Sequence, residues 1–120
     1  MKILIVEDEA IIAMHLEMLV VEFGHEVFGI AASTDEAIAL TIACRPDVAL
    51  MDIRLRFGTS GIEAARELYT RHGLHCIFLS GNLDEATRTA ALPYEPIDFI
   101  GKPILPIALQ RALEKAGKAN

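Results

Sequence analysis

The chain has no tryptophan, two cysteines, and 11 lysines and arginines against 17 aspartates and glutamates, for a net charge of −6 over 120 residues. Each shortage removes a class of function. So few basic side chains leave no stripe to neutralise a phosphate backbone, and direct binding of nucleic acid is not expected. Cys44 and Cys76 lie far apart and match neither a Cys-x-x-Cys pair nor a disulfide framework, so both read as reduced, small, apolar packing residues. His15, His25, His72 and His75 lack the spacing of a metal set and read as surface or packing residues. No apolar run approaches the roughly 18 residues of a membrane span. The short run Ile3-Leu4-Ile5-Val6 meets Glu7-Asp8-Glu9 at once, which is not the pattern of a signal peptide. The expected location is the cytoplasm, without membrane contact.

What the chain does have is a hydrophobic content of 52%, enough at this length for one core and one domain, expected to span residues 1–120. Apolar runs of strand length occur at residues 2–6, 26–30, 47–51, 76–79 and 97–100, and stretches of helical spacing separate them. In the first of these stretches Ile11, Ile12, His15, Leu16, Leu19 and Val20 recur at helical intervals, and Gly24 is the stop signal. Ser33-Thr34-Asp35-Glu36 starts a second helix that Pro46 closes. A third runs over residues 62–71 to Gly73, Asp84 caps a fourth that Pro93 ends, and Pro106 opens a fifth that fades near Gly117.

Runs one, three and four are apolar throughout, as strands of a parallel sheet covered on both faces must be. The expected fold is α/β, a flavodoxin-like three-layer α/β/α sandwich with five parallel strands in the order 2-1-3-4-5 and a ligand crevice at the switch point between strands one and three. Parallel strands deliver their carboxyl ends to one edge. That edge should gather Glu7 and Asp8 after strand one, Asp52 after strand three, Ser80 at the close of strand four, and Lys102 after strand five.

Three carboxylates around one lysine leave the crevice short of positive charge unless a cation joins them. An all-oxygen donor set favours Mg2+, with Asp8 and Asp52 as direct ligands and Glu7 acting through water. Asp52, projected beside both the cation and Lys102, is the nucleophile candidate, and a carboxylate attacking phosphorus yields an acyl phosphate. The metal and Lys102 would neutralise the equatorial oxygens of the transferring group, and the Ser80 hydroxyl would bond one of them. Taken singly, the acidic run could be no more than the start of a helix, Asp52 ordinary loop chemistry, Ser80 a turn residue and Lys102-Pro103 a solvated loop; joint placement on one edge favours a site.

These residues resemble the receiver domain of two-component response regulators, over essentially the whole chain. The motifs that carry the likeness are Ile3-Leu4-Ile5-Val6-Glu7-Asp8-Glu9, Asp47-Val48-Ala49-Leu50-Met51-Asp52-Ile53-Arg54, Ile77-Phe78-Leu79-Ser80-Gly81 and Asp98-Phe99-Ile100-Gly101-Lys102-Pro103. The resemblance implies a single-domain, chemotaxis-regulator-like switch that takes a phosphoryl group on Asp52 from a sensor histidine kinase or histidine phosphotransfer protein. It implies Mg2+ held by Glu7, Asp8, Asp52 and the backbone carbonyl of Arg54, phosphoryl contacts from Ser80 and Lys102, and a cis Lys102-Pro103 bond. Such a domain catalyses its own phosphorylation and dephosphorylation without being a conventional turnover enzyme.

In the family it resembles, an aromatic three residues before the lysine turns inward when the hydroxyl residue moves toward the phosphate, and Phe99 takes that position. As a phenylalanine it has no phenol to bond in either rotamer, and permanent core packing is its alternative. The loop Arg54-Leu55-Arg56-Phe57-Gly58-Thr59-Ser60-Gly61 lacks the family's usual Met-Pro step and reads as one residue longer. Pro93 and Pro96 flank Tyr94-Glu95, which predicts a short fourth helix and a stiff loop. Arg54 and Asn82, two residues beyond Asp52 and Ser80, occupy positions where family members tune phosphoryl lifetime.

Since the sequence ends soon after the fifth helix, output is expected through contacts with other proteins, and the face of helix four, strand five and helix five is the expected surface for a partner or a homodimer. Two readings of other classes remain beside this one. A non-phosphorylated receiver-like scaffold, or a receiver excised from a longer regulator, would keep the fold. A flavodoxin-like cofactor binder is opposed by the acidic crevice and the absence of a glycine-rich loop after strand one.

Overall fold

The computed structural model describes residues 1–55 and 60–119. The five apolar runs form β1 (Lys2–Val6), β2 (Glu26–Ala31), β3 (Val48–Asp52), β4 (Cys76–Ser80) and β5 (Asp98–Gly101), all parallel and in the order β2-β1-β3-β4-β5. The helices are α1 (Ala10–Glu22), α2 (Thr34–Cys44), α3 (Gly61–His72), α4 (Glu85–Ala91) and α5 (Pro106–Ala119). The α/β/α sandwich and strand order expected from the sequence are those observed, and strand ends differ from the predicted ones by a residue. One of those differences matters, because Asp52 is the last residue of β3 rather than the first residue beyond it, while Ser80 closes β4 as expected.

Alternation along the strands divides the core between the two faces of the sheet. Ile3, Ile5, Leu50, Ile77 and Leu79 face α1 and α5, where Leu16, Leu19, Leu109 and Leu113 meet them. Leu4, Val6, Met51 and Phe78 belong to the other layer, with Ala37 of α2, Leu68 of α3 and Ala91 of α4. Each fully buried Leu or Ile contributes roughly 1.5–3 kcal/mol, so both layers hold the sheet rigidly under its carboxyl edge.

The helix ends follow local chemistry. Ser33 Oγ accepts from the Glu36 amide at 3.2 Å, and Glu36 Oε2 accepts in return from the Ala32 amide at 3.3 Å. Asp84 Oδ1 accepts from the Thr87 amide at 2.8 Å and caps α4. Gly73 ends α3 at φ 65°, a left-handed position that glycine tolerates. α4 has only seven residues before the 3-10 turn Leu92–Tyr94 that contains Pro93, as the paired prolines predict. Cys76 is buried, which pushes its thiol up to about 12, and Cys44 is half-buried; both are free.

The apolar periodicity of α1 needs correction. Leu16, Leu19 and Val20 are in the core, but Ile11 and His15 are exposed and Ala13 takes the inward place. The helix is apolar on nearly every side, so spacing alone does not say which stripe faces the sheet. Ile11, Met14, Met18 and Val21 are 83%, 61%, 67% and 56% exposed and form an outer apolar stripe. Among the described residues no helix is long and apolar enough to cross a membrane.

Candidate functional site

Ladder hydrogen bonds carry the sheet's order one residue further and set the site. The Glu7 amide donates to the Ala31 carbonyl at 2.9 Å, and the Ile53 amide to the Leu79 carbonyl at 3.1 Å. The Lys102 amide donates to the Ser80 carbonyl at 2.8 Å, which brings residues at the ends of β4 and β5 side by side. Glu7, Asp52 and Ser80 are buried although polar, and Asp8 and Lys102 are half-buried.

Carboxylate oxygens of Glu7, Asp8 and Asp52 lie within 4.8 Å of one another, the one such group among the described residues. Lys102 Nζ stands 3.3 Å from Asp52 Oδ1 and 3.5 Å from Glu7 Oε1. The Lys102-Pro103 bond is cis. Glu7, Asp8, Asp52 and Lys102 come together at the carboxyl edge, and Ser80 lines the same cleft as Asp52 and Lys102. The histidines contribute to no such group, and His25 instead meets the terminal amine of Met1 at 3.0 Å.

The electrostatics follow from crowding. Burial, then a hydrogen bond to Asp52 and its nearby charge, raise the Glu7 carboxyl to about 8, and Lys102 offsets only part of this. Glu7 Oε2 is fully buried with no hydrogen-bond partner. A buried, unsatisfied carboxylate oxygen inside a ring of three acids is what a hard divalent cation would satisfy, so this donor set fits Mg2+.

A cleft of about 360 Å³ opens over these groups, lined by Glu9, Asp52, Arg54, Ser80, Gly81, Asn82 and Lys102. The Arg54 amide donates to Asp52 Oδ1 at 3.3 Å. Ser80 Oγ is turned into its own loop, accepting from the Asn82 amide at 3.0 Å and lying 3.1 Å from the Asn82 carbonyl. The loop over residues 54–61, expected to be one residue longer than usual, includes residues 56–59, which lie outside the described residues. Phe99 is half-buried and stacked on Phe78, with ring centroids 5.6 Å apart.

Sequence reasoning missed Gly61 as a part of the site. A Cβ built on this buried first residue of α3 would lie 1.9 Å from the carbonyl oxygen of Asp52, while its amide donates to the Ile53 carbonyl at 2.7 Å. The close approach of α3 to the end of β3 therefore requires glycine. Its signal was a glycine directly after the cap residue Ser60, within a loop that drew attention for its length instead.

Comparison with known proteins shows the family. Residues 3–114 match the family described as the response regulator receiver domain. The chain is 37% identical over 116 residues to the phyllosphere-induced regulator PhyR of Methylorubrum extorquens, covering 96% of this chain and 43% of that protein. It is 31% identical to the chemotaxis protein CheY of Thermotoga maritima, covering 98% of each. Among solved structures, the signal receiver domain of a modulated diguanylate cyclase from Desulfovibrio desulfuricans superposes with a TM-score of 0.89 at 31% identity, covering 98% of this chain and 94% of that one. The chain belongs to the response regulator receiver domain family. It spans less than half the length of the PhyR relative.

Proposed function

We propose that this receiver takes a phosphoryl group on Asp52 from a phosphohistidine of a sensor kinase or phosphotransfer protein, in a Mg2+-dependent reaction, and signals through protein contacts. The observation that carries the reading is the cluster of buried Glu7 and Asp52 with half-buried Asp8, with Lys102 against it and a cleft beside it. Glu7, Asp8, Asp52 and the Arg54 carbonyl would hold Mg2+, which when bound supplies positive charge to the transferring oxygens. Asp52 offers its carboxylate to phosphorus, Lys102 places an ammonium where negative charge accumulates, and Ser80 leaves the Asn82 backbone to bond a phosphoryl oxygen.

A protein donor is supported by the outer stripe of α1. Ile11, Met14, Met18 and Val21 recur at spacings of 3, 4 and 3 residues, a seam suited to a partner helix. The stripe starts beside the site, since α1 follows Asp8 and Glu9 directly. The acidic side chains of α1 are Glu17 and Glu22, and the helix has no Lys or Arg, so a basic-flanked partner fits it better than a second copy of the helix. The face of α4, β5 and α5 remains the proposed surface for output or a homodimer, and a cytoplasmic location is part of the same reading.

Incubation with Mg2+ and acetyl phosphate should label the wild type and leave Asp52→Asn unlabelled. Equal labelling of both would sink the assignment.

A further inference from the structure

α4 is weakly anchored. Of its seven residues only Ala91 is buried, so apolar burial does little to fix where it sits on the sheet. A different tether is present. The guanidinium of Arg88 lies 5.0 Å from the ring centroid of Phe99, within the range of a cation–π contact. Arg88 Nε also reaches the Leu83 carbonyl at 3.5 Å. One exposed side chain thus bridges β5 and the loop that runs from Ser80 to α4.

Both ends of this bridge lead into the site. Phe99 pairs with Phe78 across β5 and β4, and the rings stack with an interplanar angle of 19°. Phe78 is followed two residues later by Ser80, and Phe99 three residues later by Lys102. Leu83 belongs to the loop whose Asn82 backbone holds the Ser80 hydroxyl. When Ser80 turns toward Asp52 it releases the Asn82 amide and carbonyl, which frees the loop whose Leu83 carbonyl Arg88 touches. Phe99 has no phenol, so its π face is what another group can recognise, and Arg88 is the cation placed against it.

We propose that Arg88 is a positioning residue that couples α4 to the phosphoacceptor site through the Phe99 ring and the Leu83 carbonyl. The coupling role rests on the receiver reading above, while the Arg88–Phe99 contact is independent of it. Because Arg88 is exposed, Arg88→Met keeps a long stem without threatening the fold.

Amide hydrogen exchange on Arg88→Met, Phe99→Leu and the double variant tests the contact without any ligand. Each single change should speed exchange over α4 about two- to five-fold, and the double change should add little to either. Full additivity, or unchanged exchange in Arg88→Met, would overturn the proposal. Amide NMR shifts with Mg2+ and beryllofluoride then test the coupling. In Arg88→Met the responses of Ser80 and Lys102 should persist while that of α4 shrinks, and a wild-type α4 response would overturn it. If Ser80 and Lys102 fail to respond even in the wild type, the phosphoacceptor reading and the coupling role fail together, whereas the exchange cycle still decides the Arg88–Phe99 contact.

Discussion

Lys102 Nζ and Asp52 Oδ1 stand 3.3 Å apart at the floor of the cleft, and the same ammonium reaches Glu7 Oε1 at 3.5 Å. One cation thus stands between two buried carboxyl groups, one of which is the proposed acceptor. The competition between Lys102, a proton and a metal ion for this negative charge governs how the site should respond to mutation and pH.

Lys102→Met should separate two properties that a simple loss of structure would lower together. Removing the ammonium leaves the acidic ring more negative, so Mg2+ should bind a few-fold more tightly. The transferring phosphoryl loses a charged donor, so labelling by acetyl phosphate should slow about 100-fold or more. Mg2+ titration and labelling rates on the same protein check both directions, and a fall in Mg2+ affinity would contradict the argument.

Stability without metal should depend on pH through Glu7. An ordinary glutamate loses its proton near 4.5 and this one near 8, so between those values the native state holds a proton that the unfolded chain has released. The contribution is therefore complete below about 4.5 and declines as pH rises toward about 8, with a slope on the order of 1 kcal/mol per pH unit at most. Urea denaturation across this window should show the decline, Glu7→Gln should flatten it, and the stabilisation added by Mg2+ should grow with pH because the metal takes the deprotonated form.

Gly61→Ala should damage fold and site together. The new methyl would meet the backbone carbonyl of Asp52, which cannot rotate away as a flexible side chain could. Overpacking of this kind costs roughly 1–3 kcal/mol, and displacing the end of β3 should weaken Mg2+ binding as well. Denaturation and Mg2+ titration measure the two effects, and a variant as stable as wild type would show that α3 can withdraw freely.

Charges on the outer stripe of α1 should affect a protein donor and spare a small one. Met14→Glu with Met18→Glu alters two exposed side chains, so stability should change by no more than about 0.5 kcal/mol for each. Labelling by acetyl phosphate should remain at the wild-type rate, while transfer from a phosphorylated histidine protein should fall at least about tenfold. Equal loss from both donors would mean that the change acts on the site rather than on docking.

Much of the architecture was written locally. Apolar runs of strand length, the Ser33 and Asp84 caps, the Gly73 stop and the two prolines around Tyr94-Glu95 each act over a few residues, and the corresponding elements sit within a residue or two of the expected positions. The site residues were legible for a related reason. Once the strands are parallel, those at the carboxyl ends share an edge, and Glu7, Asp8, Asp52, Ser80 and Lys102 are found there. Ile11 shares the helical spacing of the inner residues yet lies outside, because a helix apolar on nearly all sides offers no contrast from which to choose its inner face.

The sequence by itself determined the elements, their order and the set of chemical groups, since propensity, capping and strand polarity operate over short distances along the chain. Tertiary structure alone decided how close those groups come. That Glu7 keeps a proton to about 8 beside Asp52, that Gly61 must lack a Cβ against Asp52, and that Arg88 rests on Phe99 depend on pairs of residues 45, 9 and 11 positions apart. Their physical cause is the burial and contact created when separate strands and helices pack, which no short stretch of sequence contains.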